Sequence, residues 1–483
     1  MNKLKAWNTI CLVCAFCAVS ALASSAQTFT TMRSFDGTDG QNPLLGPLVQ
    51  GLNGNFYGTT LYGGANRDGT VFRIAPNGQL TTLYSFCAET SCTDGRWPEE
   101  GLVQGSNGTL YGTTYAGGGG VGEDCGDGCG TVFALTATGG LTTLYTFCSQ
   151  TNCTDGAAPV AGLVEGADGS LYGTTIIGGA NLYGTVFKIT GAALTILHSF
   201  DGTDGSHPQG TLVRGTDGNF YGTTVYGGAN NLGTVFKITP GGTLTTLYSF
   251  CSLTNCADGE EPYGGVVQGT DGNFYGTTFL GGAQELDGTI FKITPKGQLT
   301  TLYNFCSQTN CADGLDPEAG LTQGTDRNFY GTTSGGGADG GGTIFKITAE
   351  GLTTLYSFCA QTGCSDGAYP YAGVVQGTDG SFYGTTSVGG TDSEGTVFSL
   401  SVGLGPFVET LPASGKVGAT VEILGNNLSG ATSVTFNGTT ATFTAVSNTE
   451  IRTIVPTGAT TGTVDVVTSN KTLKSKATFV VTP

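Results

Sequence analysis

The chain has 483 residues, 84 of them Gly, with only 11% charged residues and a formal net charge of −18. An acidic chain without a basic stretch is a poor partner for nucleic acid and is repelled by anionic membrane surfaces. Two His and two Met leave little room for imidazole-based metal or acid–base chemistry, whereas 38% hydrophobic and 10% aromatic residues suffice for a core.

The first expected element is a targeting segment. Lys3 and Lys5 precede an apolar run from Ile10 to Val19, and small residues follow at Ala21-Leu22-Ala23 and Ser24-Ser25-Ala26. The run is too short to cross a hydrocarbon core of about 30 Å, so residues 1–26 read as a cleaved signal peptide. The mature chain is expected to be secreted, periplasmic or cell-surface associated, with no membrane span.

Seven copies of one unit follow. Y-G-T-T opens at Tyr57, Tyr111, Tyr172, Tyr221, Tyr275, Tyr330 and Tyr383, at successive spacings of 54, 61, 49, 54, 55 and 53 residues. Such a period marks a repeat architecture. In the fourth copy four short strands are expected: Thr211–Arg214, Asn219–Thr224, Gly233–Thr239 and Leu244–Phe250. Asp217-Gly218 and Pro240-Gly241-Gly242 supply the turns. The strands are rich in Val, Ile, Thr, Phe and Tyr. Apolar residues fall on both faces, with Val235 beside Phe236 and Leu247 beside Tyr248, as a sheet packed on both sides requires.

Four antiparallel strands per repeat predict an all-β fold, a seven-bladed β-propeller over residues 27–402. A β-solenoid is the competitor, and one count separates them. The strand L-T-T-L-Y-S-F follows only the first six units. Its missing copy, Phe29-Thr30-Thr31-Met32-Arg33-Ser34-Phe35, lies ahead of the first. A chain that begins with the last strand of its last blade closes a ring and leaves no open edge. Residues 27–36 are therefore expected to pair with Gly395–Leu400.

The cysteines beyond the signal come as local pairs: Cys87/Cys92, Cys125/Cys129, Cys148/Cys153, Cys251/Cys256, Cys306/Cys311 and Cys359/Cys364. Junctions that carry Cys are four residues longer than Phe35–Gly40 and Phe200–Gly205, so each pair arrives with an insertion that it staples. Disulfides are expected in an exported chain. Zinc is the rival reading, and C-x₄-C pairs without His at separate junctions fit it poorly.

After Leu404 the repeat stops. Thr420–Leu424, Ser433–Phe436 and Ala441–Phe443 read as strands, with turns at Gly425-Asn426-Asn427 and Asn437-Gly438. Residues 405–483 are expected to form a small β-sandwich.

Two resemblances attach to these phrases. D-G-N-F-Y-G-T-T, G-T-V-F-K-I-T-P and L-T-T-L-Y-S-F, over roughly residues 29–400, resemble the GloVer tandem repeat of exported bacterial proteins. That implies a surface or secreted protein, and no catalytic or ligand residue carries over. The family often bears a C-terminal sorting anchor, and this sequence departs from it in lacking a hydrophobic, basic tail. G-K-V-G-A-T-V-E-I-L-G-N-N-L, V-T-F-N-G and V-P-T-G-A-T-T-G-T-V-D-V-V-T resemble the IPT/TIG immunoglobulin-like domain, which implies a spacer or binding sandwich.

Chemistry is sparse. No H-E-x-x-H, G-x-S-x-G or phosphate-binding Gly loop occurs, and no catalytic, cofactor-binding or metal-ligating residue is assigned. His198 stands where other repeats carry Tyr and reads as a packed strand residue; His207 reads as a surface residue. Seven D-G-x-x-P turns, at Asp39, Asp94, Asp155, Asp204, Asp258, Asp313 and Asp366, invite calcium, but one carboxylate per turn falls short of its usual ligand set. Glu99, Glu100, Glu260 and Glu261 read as surface acidity.

The sequence thus reads as an exported, non-enzymatic repeat protein, an adhesion or ligand-binding module for a protein or glycan. A polysaccharide-active enzyme and a purely structural envelope protein are the alternatives. Carboxylates converging in one axial pocket would favour the enzyme. Variable loops on a rigid frame carry recognition, so the contacts are expected on the loop-rich face, at Tyr62, Trp97, Tyr115, Tyr226, Tyr263, Tyr369 and Tyr371.

Overall fold

The computed structural model describes residues 27–120, 125–283, 287–469 and 471–482; the expected signal peptide lies outside them. Among the described residues there is no α-helix, only strands and short 3₁₀ turns.

The repeat region builds seven four-stranded antiparallel sheets. In the fourth repeat the strands are Val213–Arg214, Phe220–Thr224, Thr234–Ile238 and Leu244–Ser249. The first is shorter than the expected Thr211–Arg214, since the ladder pairs only Val213 with Tyr221 and Arg214 with Phe220. The repeated phrase has a local cause. An ideal Cβ on Gly222 would lie 2.7 Å from Phe236 Cζ and 2.8 Å from Leu212 Cδ2, so only Gly lets the rings close over Y-G-T-T. Thr224 Oγ1 lies 2.8 Å from Thr234 Oγ1, tying the second strand to the third. Tyr221 donates to Asp217 Oδ2 at 2.9 Å, and Lys237 Nζ reaches the same oxygen at 2.9 Å. The turn, the Y-G-T-T strand and the G-T-V-F-K strand are thereby one unit.

Each sheet is buried on both faces. Tyr221 and Val235 of the fourth repeat pack with Phe274, Phe291 and Ile293 of the fifth. Phe236 and Ile238 face Tyr172 and Val186 of the third. The stacked pair Tyr221–Phe274, with centroids 3.9 Å apart, recurs as Tyr330–Phe382 at 4.1 Å and, from the seventh sheet to the first, as Tyr383–Phe56 at 4.0 Å. Succession is therefore cyclic.

Thr28–Ser34 completes the last sheet. It pairs antiparallel with Thr396–Ser401, from Thr28 opposite Ser401 to Ser34 opposite Thr396, as the strand count predicts.

The C-terminal strands form two four-stranded sheets and a parallel pair, Ser414–Lys416 with Val480–Thr482; the four-stranded sheets enclose one core, with Val421, Ile423 and Ile451 from one and Val434, Phe436 and Val466 from the other. The expected single strand Ala441–Phe443 is instead two. Thr439–Ala441 pairs with one sheet and Phe443–Ala445 with the other, so the chain switches sheets at Thr442. This unit rests on the tight-turn side of the repeats. Asn426 Nδ2 donates to Thr378 Oγ1 at 2.8 Å, Thr449 Oγ1 to the Leu52 carbonyl at 2.8 Å, and Arg214 Nη1 to Ser414 Oγ at 3.1 Å.

Candidate functional site at the axial mouth

The junction between sheets is a built loop. In the fifth repeat Asp258 is buried. Its Oδ2 accepts from Tyr248 Oη at 2.7 Å and Ser252 N at 2.9 Å, and its Oδ1 from Leu253 N at 3.0 Å. The carboxylate of the D-G-x-x-P turn thus points inward and folds the Cys251–Cys256 loop around itself. His198 keeps the same geometry in the repeat without Cys, its Nε2 lying 2.6 Å from Asp204 Oδ2. The expectation of a merely packed His198 misses this bond. The six cysteine pairs stand at disulfide distance, with Cα separations of 4.0 to 5.1 Å.

Before each proline the chain takes a left-handed conformation. Trp97, His207, Glu261, Asp316 and Tyr369 have φ of 57°, 54°, 54°, 57° and 56°. His207 is accordingly half-buried against Tyr226, at 5.6 Å between ring centroids, and is not the expected surface residue. The strained residue stitches sheets together: Trp97 N donates to the Asp68 carbonyl of the preceding repeat at 2.9 Å, and the Trp97 carbonyl accepts from Tyr115 N at 2.9 Å. The chain then turns to the centre. The residue after proline is Leu44, Glu99, Val160, Gln209, Tyr263, Glu318 or Tyr371 in the successive repeats.

These converging segments enclose a cavity of 270 Å³, lined by Glu100, Gln209, Thr211, Tyr263, Glu318 and Tyr371 among others. Glu100 Oε1 accepts from Thr211 Oγ1 at 3.2 Å, and Ser334 Oγ lies 3.0 Å from Glu318 Oε1. What surface Glu100 keeps opens into this narrow space, and desolvation pushes its carboxyl up to about 8. Burial likewise raises Glu99 and Glu318 to about 7 and Asp316 to about 6. Surface acidity is therefore wrong for Glu99 and Glu100. Glu260 and Glu261 stay outside the cavity wall, half-exposed on their loop.

The seven expected aromatic contacts fall in three groups around this mouth. Trp97 lies 6.4 Å from both Tyr62 and Tyr115 by ring centroids, with the Arg96 guanidinium 4.1 Å above it. Tyr226 and Tyr263 form the second group; burial and a hydrogen bond from one to the other push the Tyr263 hydroxyl up. In the third, Tyr371 faces the cavity while Tyr369 is 43% exposed on the loop. Only Tyr263 and Tyr371 line the cavity itself. Glu318 and Gln209 were missed by residue-level reading. Alignment of the seven D-G-x-x-P turns would have found them, since both stand one residue after the proline.

The cycle of sheets with polar side chains gathered at its centre defines an all-β repeat protein with an axial ligand-sized cavity. Its lineage is explicit. The model of the Gloeobacter/Verrucomicrobia repeat matches residues 17–153, 120–258 and 252–449, and the chain belongs to that family. No curated relative matches the chain. Among solved structures, it is similar to a protein of unknown function from Bacteroides thetaiotaomicron, at TM-score 0.41 and 15% identity over 78% of this chain and 76% of that one. It is also similar to a 6-phosphogluconolactonase-like protein of Bacteroides fragilis, at TM-score 0.40 and 18% identity over 64% and 82%. A luciferin-regenerating enzyme is similar at TM-score 0.41 and 11% identity over 79% and 98%. At these scores the likenesses do not bear on this chain's chemistry.

Proposed function

We propose that the protein is an exported seven-bladed β-propeller over residues 27–402 carrying an IPT/TIG-like sandwich over residues 405–483, and that it binds a neutral, hydroxyl-rich glycan at its axial mouth. Cyclic packing of seven sheets supports the propeller. Six cysteine pairs at bonding distance support export. One observation carries the binding reading: Tyr263, Tyr371, Gln209, Glu100 and Glu318 line one cavity. Carboxyls that hold their proton near neutral pH donate hydrogen bonds instead of repelling hydroxyls. Tyrosines supply stacking area at low entropy cost. The sandwich contacts the tight-turn side, which leaves the loop side for the ligand.

A glycan screen on the full chain, followed by calorimetry, tests this. Tyr263→Ala, Tyr371→Ala and Glu318→Gln should each weaken binding by about tenfold. Binding that survives all three, and survives loss of the seven loop aromatics, but fails when residues 405–483 are removed would place the site on the sandwich.

A second reading, the polysaccharide-active enzyme, rests on the same cavity, where carboxylates gather in one axial pocket as that alternative expects. Two carboxyls that keep their proton near pH 7 are the equipment of a general acid, and Glu100 and Glu318 both face the cavity. Reducing-end release from a bound oligosaccharide, abolished by Glu100→Gln or Glu318→Gln, would favour hydrolysis over binding alone.

A further inference from the structure

Below the mouth, on the side toward the sandwich, lies a second and larger cavity of 520 Å³. It shares Val213, Val267 and Thr322 with the upper one, so the two follow the same inner wall. Its lining is otherwise different. Thr216, Thr270, Ser414, Thr478, Gln268 and Gln323 supply hydroxyls and amides, and the charged side chains in the wall are Arg214 and Lys476. Among the described residues no carboxylate lines it, in a chain with 36 acidic residues against 18 basic ones.

Arg214 is the anomaly that gives this pocket its meaning. The equivalent position is Gln50, Gln104, Gln268, Gln323 and Gln376 in five other repeats, and Glu165 in the sixth. Each of these offers a side-chain oxygen to a turn N–H of the preceding repeat. Leu52 N donates to Gln104 at 3.1 Å, Ser106 N to Glu165 at 2.9 Å, Thr216 N to Gln268 at 2.8 Å and Thr270 N to Gln323 at 3.0 Å. A guanidinium has no acceptor. Arg214 therefore gives up a bond between neighbouring sheets that the other six repeats keep. What it does instead is reach the sandwich, placing Nη1 3.1 Å from Ser414 Oγ. Among the described residues it has no carboxylate within ion-pair distance. Lys476 stands across the pocket on the sandwich, with Glu409 at 3.5 Å, behind the wall.

We propose that this pocket is an oxyanion site, in which Arg214 and Lys476 hold a sulfate, phosphate or carboxylate group between the repeat ring and the sandwich. A guanidinium with free N–H groups matches the fork of such an anion, and surrounding hydroxyls and amides complete its hydrogen bonds. The site is distinct from the glycan mouth and does not depend on it.

Isothermal calorimetry on the full chain, with millimolar sodium sulfate, sodium phosphate and sodium glucuronate against sodium chloride at matched ionic strength, tests the assignment. The inorganic arms report a free anion and the glucuronate arm a sugar-borne one. Saturable binding is expected, weakened at least tenfold in Arg214→Gln, which installs the residue native to five sister positions, and in Lys476→Gln. Mouth binding should be unchanged in both. Thermal melts in the same salts give the second readout. General stabilisation by sulfate acts equally on all variants, whereas occupancy of the site raises the midpoint only where the cations remain. Absence of saturable heat in the unaltered protein overturns the proposal. So does binding in both variants as tight as in the unaltered protein. If Arg214→Gln does not fold, Lys476→Gln decides.

Discussion

Thr378 N donates to Gln50 Oε1 at 2.9 Å, a hydrogen bond between residues 328 apart in sequence that joins the seventh repeat to the first. It repeats the bond that Thr325 N makes to Gln376 at 3.0 Å within the series. With Thr28–Ser34 completing the last sheet, the closure is made by the same contacts that hold every other pair of neighbours. Deleting residues 27–36 should therefore lower the melting temperature far more than deleting residues 405–483, because it opens a sheet edge and uncovers Phe398 and Phe358, against which Phe29 packs. Gln50→Ala alone should cost about 1 kcal/mol. Equal effects of the two deletions would contradict closure.

Most of the paired-cysteine loops lie outside the sheet cores, whereas Cys129 and Cys148 are buried with Phe147 and Phe187. Each short closed loop should contribute about 2 kcal/mol by the chain-entropy argument. Alkylation before reduction should label few of the twelve cysteines Cys87 to Cys364, and intact mass should be lower than that of the reduced chain by two hydrogen atoms for each pair. After reduction the far-ultraviolet spectrum should persist, since Phe250, Phe291 and Ile293 are buried independently of Cys251 and Cys256. Labelling of most thiols in the unreduced protein would refute the pairing.

Stability should also depend on pH in a defined direction. The Glu100 carboxyl rises through burial from its ordinary 4.5 to about 8 in the folded chain. Between those values the folded state binds the proton and the unfolded state has lost it, so stability falls as pH rises through this window and levels off above it. Glu318, raised by burial to about 7, adds to the same slope. Glu100→Gln should flatten the decline in melting temperature between pH 5 and 8 by several degrees. An unchanged slope in the variant would mean that the carboxyl is solvated.

Much of the fold was legible because repetition samples the same physics seven times. Y-G-T-T predicted a strand, and the offset of L-T-T-L-Y-S-F predicted which strand pairs with Thr396–Ser401. The candidate site was legible only in part. Tyr263 and Tyr371 stood out as aromatics in loops. Glu318 and Gln209 did not, since E-A-G and Q-G-T look like any polar turn until the seven turns are superposed. Glu100 was misread because local sequence reports a charged loop, whereas the wall it faces is built from distant residues such as Thr211, 111 residues away, which donates to it. Arg214 could be seen as odd against five Gln, but its partner Ser414 belongs to another unit.

The first Thr of Y-G-T-T gives the sharpest test of how the sheets are joined. Thr223 Oγ1 donates to the Gly264 carbonyl of the next repeat at 3.0 Å, Thr277 to Ala319 at 2.8 Å and Thr332 to Ala372 at 2.9 Å. Thr385, the seventh in the series, is buried with no partner for its hydroxyl among the described residues. Its neighbour is the first repeat, where Pro43-Leu44-Leu45-Gly46-Pro47-Leu48 carries one residue more than Pro370-Tyr371-Ala372-Gly373-Val374, and this insertion coincides with the missing bond. Replacing Thr by Val keeps the shape and removes the hydroxyl. Thr332→Val leaves the Ala372 carbonyl without that donor and should cost about 1–2 kcal/mol. Thr385→Val removes a buried, unpaired polar group and should be neutral or stabilising by about 1 kcal/mol. Urea midpoints measured for both variants on the full chain should therefore move in different directions, or only the first should move. A loss for Thr385→Val as large as that for Thr332→Val would show that its hydroxyl has a partner after all, and that the extra residue in the first repeat does not break the series.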